Sequence, residues 1–473
     1  MSVSKRYDAI VVGGGTAGCY AASTMADQGL EVSLLERKSK DEAGHIACGD
    51  ALKGAGSFPD TIDEKELHDS FTNAKVEGGR FEFPDGEYLD VPVPGELAVV
   101  DRKRYGETLL ESAEEKGVDV RYGRVVDGLL QDGKVRGVEA KEASTEKEAR
   151  IEEASTEKEE NTDGERETYL ADVVVDACGA LSILQEELDL DSTFDHNVRY
   201  SQFCSAYREI IRVDQPVDWS DRLVFKPIEQ SAGYLWYFPR TPTKINAGLG
   251  FQMDGEPMEL VDELRDDLVD RPEFEDAEVV DKLGAALPTR RPLDSAVAPG
   301  YLACGDAACH VNPTTGGGIA GAAYAGQYAG EAVAHASEED DFSEEKLWRY
   351  NSRVMEKFGA RYAALDVYNV FISGHGNDEV ISLMSKLPGE KISDLLYQGE
   401  TRIPLSLKIR SLISSFGHWG LIYKLYLAKK VSEEVKEVYR SYPDSPSEFY
   451  KWRERRDEVF DRIYELADTE PKY

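Results

Sequence analysis

Three kinds of hydrophobic pattern divide the chain. Asp8-Ala-Ile-Val-Val-Gly13 is a short apolar run stopped by glycine, and a helix-period segment follows it. A second apolar run, Val32-Ser-Leu-Leu-Glu36, then ends on an acid. Runs this short, bounded by glycine, predict buried parallel strands, so residues 8–36 predict a strand–turn–helix–strand unit. Ala171-Asp-Val-Val-Val-Asp-Ala-Cys-Gly179 predicts another buried strand ending in a glycine turn. Residues 186–284 alternate apolar and polar positions with many aromatics, which predicts a mostly antiparallel sheet. Beyond about residue 336 the period becomes helical and turn signals thin out.

These patterns predict an α/β chain with a Rossmann-like dinucleotide-binding domain over 1–185 that resumes over 285–335. A mostly antiparallel β substrate domain is inserted over 186–284, and a helical region covers 336–473. Residues 142–167 interrupt one sheet-forming unit with 11 acids, 4 bases and the repeat Glu-Ala-Ser-Thr-Glu-Lys-Glu at 142–148 and 153–159. Such composition cannot bury a core and predicts a surface insertion.

Chemistry enters at the glycines. In Gly13-Gly-Gly15-Thr-Ala-Gly18, Gly13 permits the tight turn, Gly15 lets the backbone approach a pyrophosphate, and Gly18 lets the helix pack against the strand. The helix N-terminus offers free N–H groups to phosphate. Glu36 is placed to accept hydrogen bonds from an unphosphorylated ribose. The motif alone does not separate NAD from FAD, but a second segment does. Tyr301-Leu-Ala-Cys-Gly305-Asp306 predicts a strand ending in a carboxylate that can hold a polyhydroxyl chain. The loop Pro313-Thr-Thr-Gly316-Gly-Gly318-Ile319 then opens a small-residue helix whose N-terminus can stabilise negative charge on a reduced isoalloxazine. Both features together point to a flavin.

These residues resemble the FAD-dependent fold shared by aromatic hydroxylases and geranylgeranyl reductases. Asp101-Arg102 matches that group's Asp-Arg pattern, and Asp176-Ala-Cys-Gly179 matches its third signature. Within the group, Tyr234-x-Trp236-x-Phe238-Pro239, eight residues, then Gly248-x-Gly250 follows the pattern of the geranylgeranyl reductases. Ala47-Cys48-Gly49-Asp50 resembles the Cys-Gly-acid element of their archaeal members. The resemblance covers roughly residues 7–335, with only a broad helical likeness beyond. It implies FAD held by Gly13, Gly15, Ala17, Gly18, Glu36, Arg37, Cys48, Gly49, Arg102, Val126, Gly179, Asp306, Pro313, Gly316, Gly318 and Ile319. It also implies a geranylgeranyl lipid substrate.

Alternation puts Tyr234, Trp236 and Phe238 on one face of a strand, an apolar wall suited to an isoprenoid; an ordinary sheet core would use the same residues. Gly248 and Gly250 leave room beside that wall. Reducing an isolated alkene takes a hydride on one carbon and a proton on the other, from a donor shielded from water. Cys48 and Asp50 are the catalytic candidates, with His45 as a possible relay. His310 reads as a loop-bonded residue. Alternative readings are a flavin monooxygenase or halogenase on the same fold, and a flavin-bearing membrane-surface binding protein.

Charge narrows the partners. With 55 Lys and Arg against 91 Asp and Glu, the formal net charge is −36. Such a surface repels nucleic acid and fits solubility in concentrated salt, as in a halophile. Six scattered cysteines without a Cys-x-x-Cys pair, and a first strand that begins almost at once, point to a reducing, cytoplasmic setting. No metal-ligand set emerges. No second Gly-x-Gly-x-x-Gly and no cluster-binding cysteines are found, so the electron donor is external, a ferredoxin or a reduced nicotinamide. Residues 402–432 hold six Lys or Arg, no acid, Trp419 and many Leu and Ile, the pattern of a peripheral contact with anionic lipid.

Overall fold

The computed structural model describes residues 5–53, 58–83, 86–91, 97–143, 166–180, 182–195, 200–228, 232–253, 259–375, 381 and 419–471. A six-stranded sheet runs in the order Val297–Ala298, Tyr301–Ala303, Val173–Asp176, Ala9–Val12, Val32–Glu36, Asp119–Tyr122. Every neighbouring pair is parallel except the outermost, Val297–Ala298 with Tyr301–Ala303. Its central strands are fully buried, as unbroken Val/Ile/Leu runs require when both faces are covered. Thr16–Asp27 packs against Ile319–Glu338, and glycine sets their separation: a Cβ on Gly326 would lie 2.2 Å from the Ala17 carbonyl oxygen. The small-residue composition of the second helix is therefore a packing requirement.

The second large sheet has seven strands, in the order Glu278–Pro288, Phe203–Arg212, Lys244–Gln252, Gly233–Thr241, Arg222–Pro227, Gly78–Glu82, Tyr88–Val91. It is antiparallel apart from the pairing of Arg222–Phe225 with Gly78–Phe81. Here the structure departs from the boundaries expected above. Two strands come from within 1–185, and the last strand runs past 284 to Pro288, because backbone pairing across the sheet, not chain order, sets its edges. One face packs Leu235, Tyr237 and Leu249 on Leu264 and Leu268 of the helix Leu260–Val269. The other face carries Trp236 and Phe238 against Val76, Leu97 and Val99.

The helices Glu344–Val354, Ala360–Ser373, Trp419–Arg440 and Phe449–Ala467 close the structure. They are anchored to the dinucleotide domain at Asp294, which accepts from Tyr439 at 2.6 Å and pairs with Arg456. Burial opposes the ionisation of Asp294, but Arg456 and Arg291 outweigh it and hold the carboxyl below its ordinary value. Residues 144–165 of the acidic insertion and 402–418 of the basic stretch lie outside the described residues. The strands flanking the insertion, Val135–Glu142 and Glu167–Leu170, pair antiparallel. No described helix is long and apolar enough to cross a membrane.

Candidate functional site

The glycine turn sits at the carboxyl ends of the parallel strands. Gly13 has φ +106°, and a Cβ there would lie 2.3 Å from the Ala177 carbonyl oxygen. A Cβ on Gly18 would lie 1.9 Å from the Gly13 carbonyl oxygen, so the helix closes tightly on the turn. Around Gly15 there is open space within 4 Å. The helix Thr16–Asp27 has no side-chain N-cap, which leaves its first N–H groups for a ligand. Gly13 and Gly18 thus take the tight turn and the close helix packing that their positions in the motif predict.

Charged groups complete the cradle. Glu36 accepts from the Gly14 N–H at 2.7 Å and the Lys38 N–H at 2.8 Å, which orients its carboxylate at the end of the second strand. Arg102, at the start of the helix Arg102–Glu115, is 5% exposed and donates to Thr16 Oγ1 at 3.1 Å. Its Nη1 is buried without an acceptor among the described residues. Asp306 has its carboxyl pushed up to about 6 by burial, with Arg102 pulling the other way. A buried guanidinium N–H beside the phosphate-ready helix, and a half-buried carboxylate where hydroxyls would satisfy it, fit a dinucleotide with a polyhydroxyl linker.

The loop 45–50 joins this cradle to the aromatic wall. Asn246, fully buried, donates to the Cys48 carbonyl at 2.7 Å and to Asp50 Oδ2 at 2.5 Å, while Trp236 Nε1 donates to Asn246 Oδ1 at 2.9 Å. Asp50 is fully buried with φ +66° and accepts from Arg240 Nε at 2.7 Å. Burial raises its pKa, against Arg240 and Asn246. Both bonds go to Oδ2, which holds the loop, while Oδ1 is buried without a partner among the described residues. Burial likewise pushes the Cys48 thiol up, so it stays protonated near neutrality. A Cβ on Gly49 would lie 3.1 Å from Phe238 and 3.5 Å from Trp236 Nε1, so the loop rests on the wall. Tyr234 donates to the Thr315 carbonyl at 2.7 Å and ties the wall to the glycine-rich loop after Pro313.

A cavity of about 1370 Å³ connects these parts. Gly13, Gly15, Ala17, Glu36, Arg37, Cys48, Gly49, Asp50, Arg102, Val126, Gly179, Asp306, Gly316, Gly318 and Ile319 line it, together with Tyr234, Trp236, Phe238 and Gly250. Three expected residues do not. Gly18 packs the helix onto the turn, and Pro313 lies outside the lining. Gly248 is a correction: a Cβ there would lie 2.5 Å from both Trp236 Cζ2 and the Tyr207 carbonyl oxygen, so its missing side chain admits the indole and the neighbouring strand and leaves no room for a ligand. His45 is bonded to Asp281 at 2.8 Å, and Asp281 also accepts from the buried Arg208 at 2.5 Å. His310 is buried, accepts from the Gly305 N–H at 3.2 Å, and is driven down to about 3 by burial, a loop-bonded neutral imidazole.

Sequence reasoning missed Asn246 and Arg240. Asn246 interrupts the apolar run Ile245–Phe251, and a polar side chain inside such a run signals a buried hydrogen-bonding partner. Arg240 directly follows the Tyr-x-Trp-x-Phe-Pro segment but carries no periodic signal.

Residues 8–154 match the protein family described as glucose inhibited division protein A. The digeranylgeranylglycerophospholipid reductase of Sulfolobus acidocaldarius is 28% identical over 461 residues, spanning 96% of this chain and 97% of that protein. The likeness to the geranylgeranyl reductases therefore continues well past residue 335, into the C-terminal helices. A solved geranylgeranyl bacteriochlorophyll reductase-like protein of Thermoplasma acidophilum superposes with a TM-score of 0.68 at 22% identity, covering 90% of this chain and all of that one. The myxobacterial chondrochloren halogenase, described as a variant of FAD-dependent halogenases, gives 0.58 at 19% identity, covering 87% and 97%. These two likenesses carry the fold: a Rossmann-type flavin domain with an attached sheet and C-terminal helices.

Proposed function

We propose that this chain is an FAD-dependent oxidoreductase that saturates the C=C bonds of geranylgeranyl chains in archaeal membrane lipid precursors. The observation that carries the reading is the single cavity: a dinucleotide cradle opens directly onto a slot walled by Tyr234, Trp236, Phe238 and Gly250. When bound, FAD supplies the hydride. The protein's own part is to hold the alkene against that wall, exclude water, and deliver a proton.

Cys48 is the proposed proton donor, since its thiol is kept neutral by burial and faces the cavity between cradle and wall. Asp50 is proposed as a positioning residue, acting through Arg240 and Asn246 on the loop that carries Cys48. Cys48→Ala is expected to retain flavin and lose turnover, and unchanged turnover would remove Cys48 from the mechanism.

The electron donor is proposed to be external, a ferredoxin or a reduced nicotinamide. A peripheral membrane contact is also proposed. The helix Trp419–Arg440 exposes Tyr423 and Tyr426 beside Lys429 and Lys430, while Leu421 and Leu425 of the same helix line the cavity. One helix thus faces solvent with aromatic and basic groups and the slot with leucines, an arrangement suited to drawing lipid from an anionic surface. Flotation with anionic vesicles at low salt should fall when Tyr423 and Tyr426 are both changed to Ser; unchanged flotation removes the contact.

The reaction is tested by incubating the reduced holoprotein anaerobically with a digeranylgeranyl glycerolipid and reading product mass. A gain of one H2 per double bond without oxygen supports the reductase. Hydroxylation on admitting air would instead support a monooxygenase, and no product with any donor would leave a binding protein.

A further inference from the structure

The helix Ala360–Ser373 and the turn before it contribute more to the cavity than apolar surface. Lys357, Phe358, Arg361, Tyr362, Tyr368 and Ile372 all line it, and at 100° per residue these positions fall on one side of the helix. The first cation sits in a π-helical turn, Met355–Gly359, between Glu344–Val354 and Ala360–Ser373. Such turns re-aim side chains and cluster at functional sites.

Lys357 and Arg361 stand out by charge. In a chain with 91 acids against 55 bases, neither forms an ion pair among the described residues. Arg353, one turn earlier, does pair, with Glu331. Lys357 instead holds its ammonium 3.9 Å above the Tyr324 ring, and Arg361 lies 5.1 Å from the Tyr362 ring centroid with its Nε buried and without an acceptor among the described residues. A guanidinium N–H buried at a cavity wall without an acceptor costs free energy that an anion would recover. From Lys357 to Ile372 the helix rises about 22 Å, cationic at its start and apolar towards its end.

We propose that Lys357 and Arg361 form an anion site that takes the phosphate-bearing head of the lipid whose chain occupies the slot. This rests on the lipid reading above. It adds that the enzyme selects phosphorylated lipid precursors over neutral ones.

The test measures binding, so it does not depend on turnover. The FAD-loaded protein and the double variant Lys357→Gln/Arg361→Gln are titrated, in detergent, with a saturated diether lipid bearing a phosphate and with its neutral alcohol, following flavin absorbance. The phosphorylated lipid is expected to bind the variant about 10- to 100-fold more weakly, the neutral lipid within about 3-fold of wild type, and flavin to be retained. Arg353→Gln serves as the control, with no selective loss. Inorganic phosphate should compete with the phosphorylated lipid in the wild type alone. Equal weakening for both lipids, or none, overturns the proposal. Loss of flavin in the double variant overturns it too, since the cations would then serve the cofactor. Phosphate binding without lipid selectivity would overturn the head-group assignment and mark a site for free phosphate. Failure to reduce any lipid would sink the proposed reaction and leave these affinities standing.

Discussion

The glycine turn and the aromatic wall both use glycine, but against different neighbours. In the cradle, Gly13 and Gly18 are glycine because neighbouring backbone carbonyls, at 2.3 and 1.9 Å from a would-be Cβ, occupy the space. Backbone cannot retreat without undoing the strand and helix that carry it. On the wall, a Cβ on Gly248 would meet the Trp236 indole and the Tyr207 carbonyl oxygen, both at 2.5 Å, whereas one on Gly250 would press only on the Cys204 sulfur, at 3.1 Å, with every other neighbour at 3.7 Å or beyond. A site built from backbone tolerates almost no change, whereas one built from side chains can be reshaped.

The largest effect should come from Gly13→Ala, which puts a methyl into a carbonyl and strains a left-handed backbone. Flavin retention, read as absorbance of the purified protein, should fall by about 100-fold or more. A yellow, stable variant would break the contrast between the two regions.

Asn246→Leu comes next, since it strips partners from Trp236 Nε1, Asp50 and the Cys48 carbonyl together. It should destabilise the protein by about 1–3 kcal/mol per buried group left unpaired, and slow turnover by about 10- to 100-fold with flavin retained. Thermal unfolding together with single-turnover kinetics would show whether the loop and the wall are coupled.

On the wall itself, Gly250→Val should narrow the slot and raise the lipid KM by roughly 10-fold without touching flavin. Gly248→Ala should act on stability, by about 1–3 kcal/mol, as an overpacked core does. If Gly248→Ala changed only lipid affinity, the reading of Gly248 as room for Trp236 would fail.

The smallest effect is a pH dependence. Asp306 has a folded pKa of about 6, above its ordinary 3.8, so the folded apoprotein holds that proton more tightly than the unfolded chain. Apoprotein stability should therefore decline as pH rises from about 4 to about 6, and Asp306→Asn should remove that decline. Flavin hydroxyls need the ionised acceptor, so flavin affinity should weaken as pH drops through about 6. A flat flavin affinity across that range would show that Asp306 does not hold the cofactor.

Much of the flavin cradle was legible because its reasons are local. Gly13, Gly15, Gly18, Glu36 and Asp306 follow from one turn, one helix start and two strand ends, each closed within a few residues. The slot was legible only as an aromatic alternation shared with any sheet core. Its working parts come from distant chain: Asn246 reaches back to Cys48 and Asp50, and Arg240 to Asp50 and Asp101.

The sequence by itself determined the strand–turn–helix cradle, the glycine signatures at both ends of it, the excess of negative charge and the aromatic wall, because periodicity, glycine and composition act through neighbours in the chain. Only the tertiary structure decided that strands 78–82 and 88–91 complete the sheet, that Gly248 lies against an indole and a carbonyl, that Asp50 Oδ2 bonds Arg240, and that Lys357 and Arg361 share a cavity with the glycine turn. Those outcomes depend on sheet pairing and on side chains meeting across hundreds of residues, where packing and desolvation act between groups that the order of the chain does not bring together.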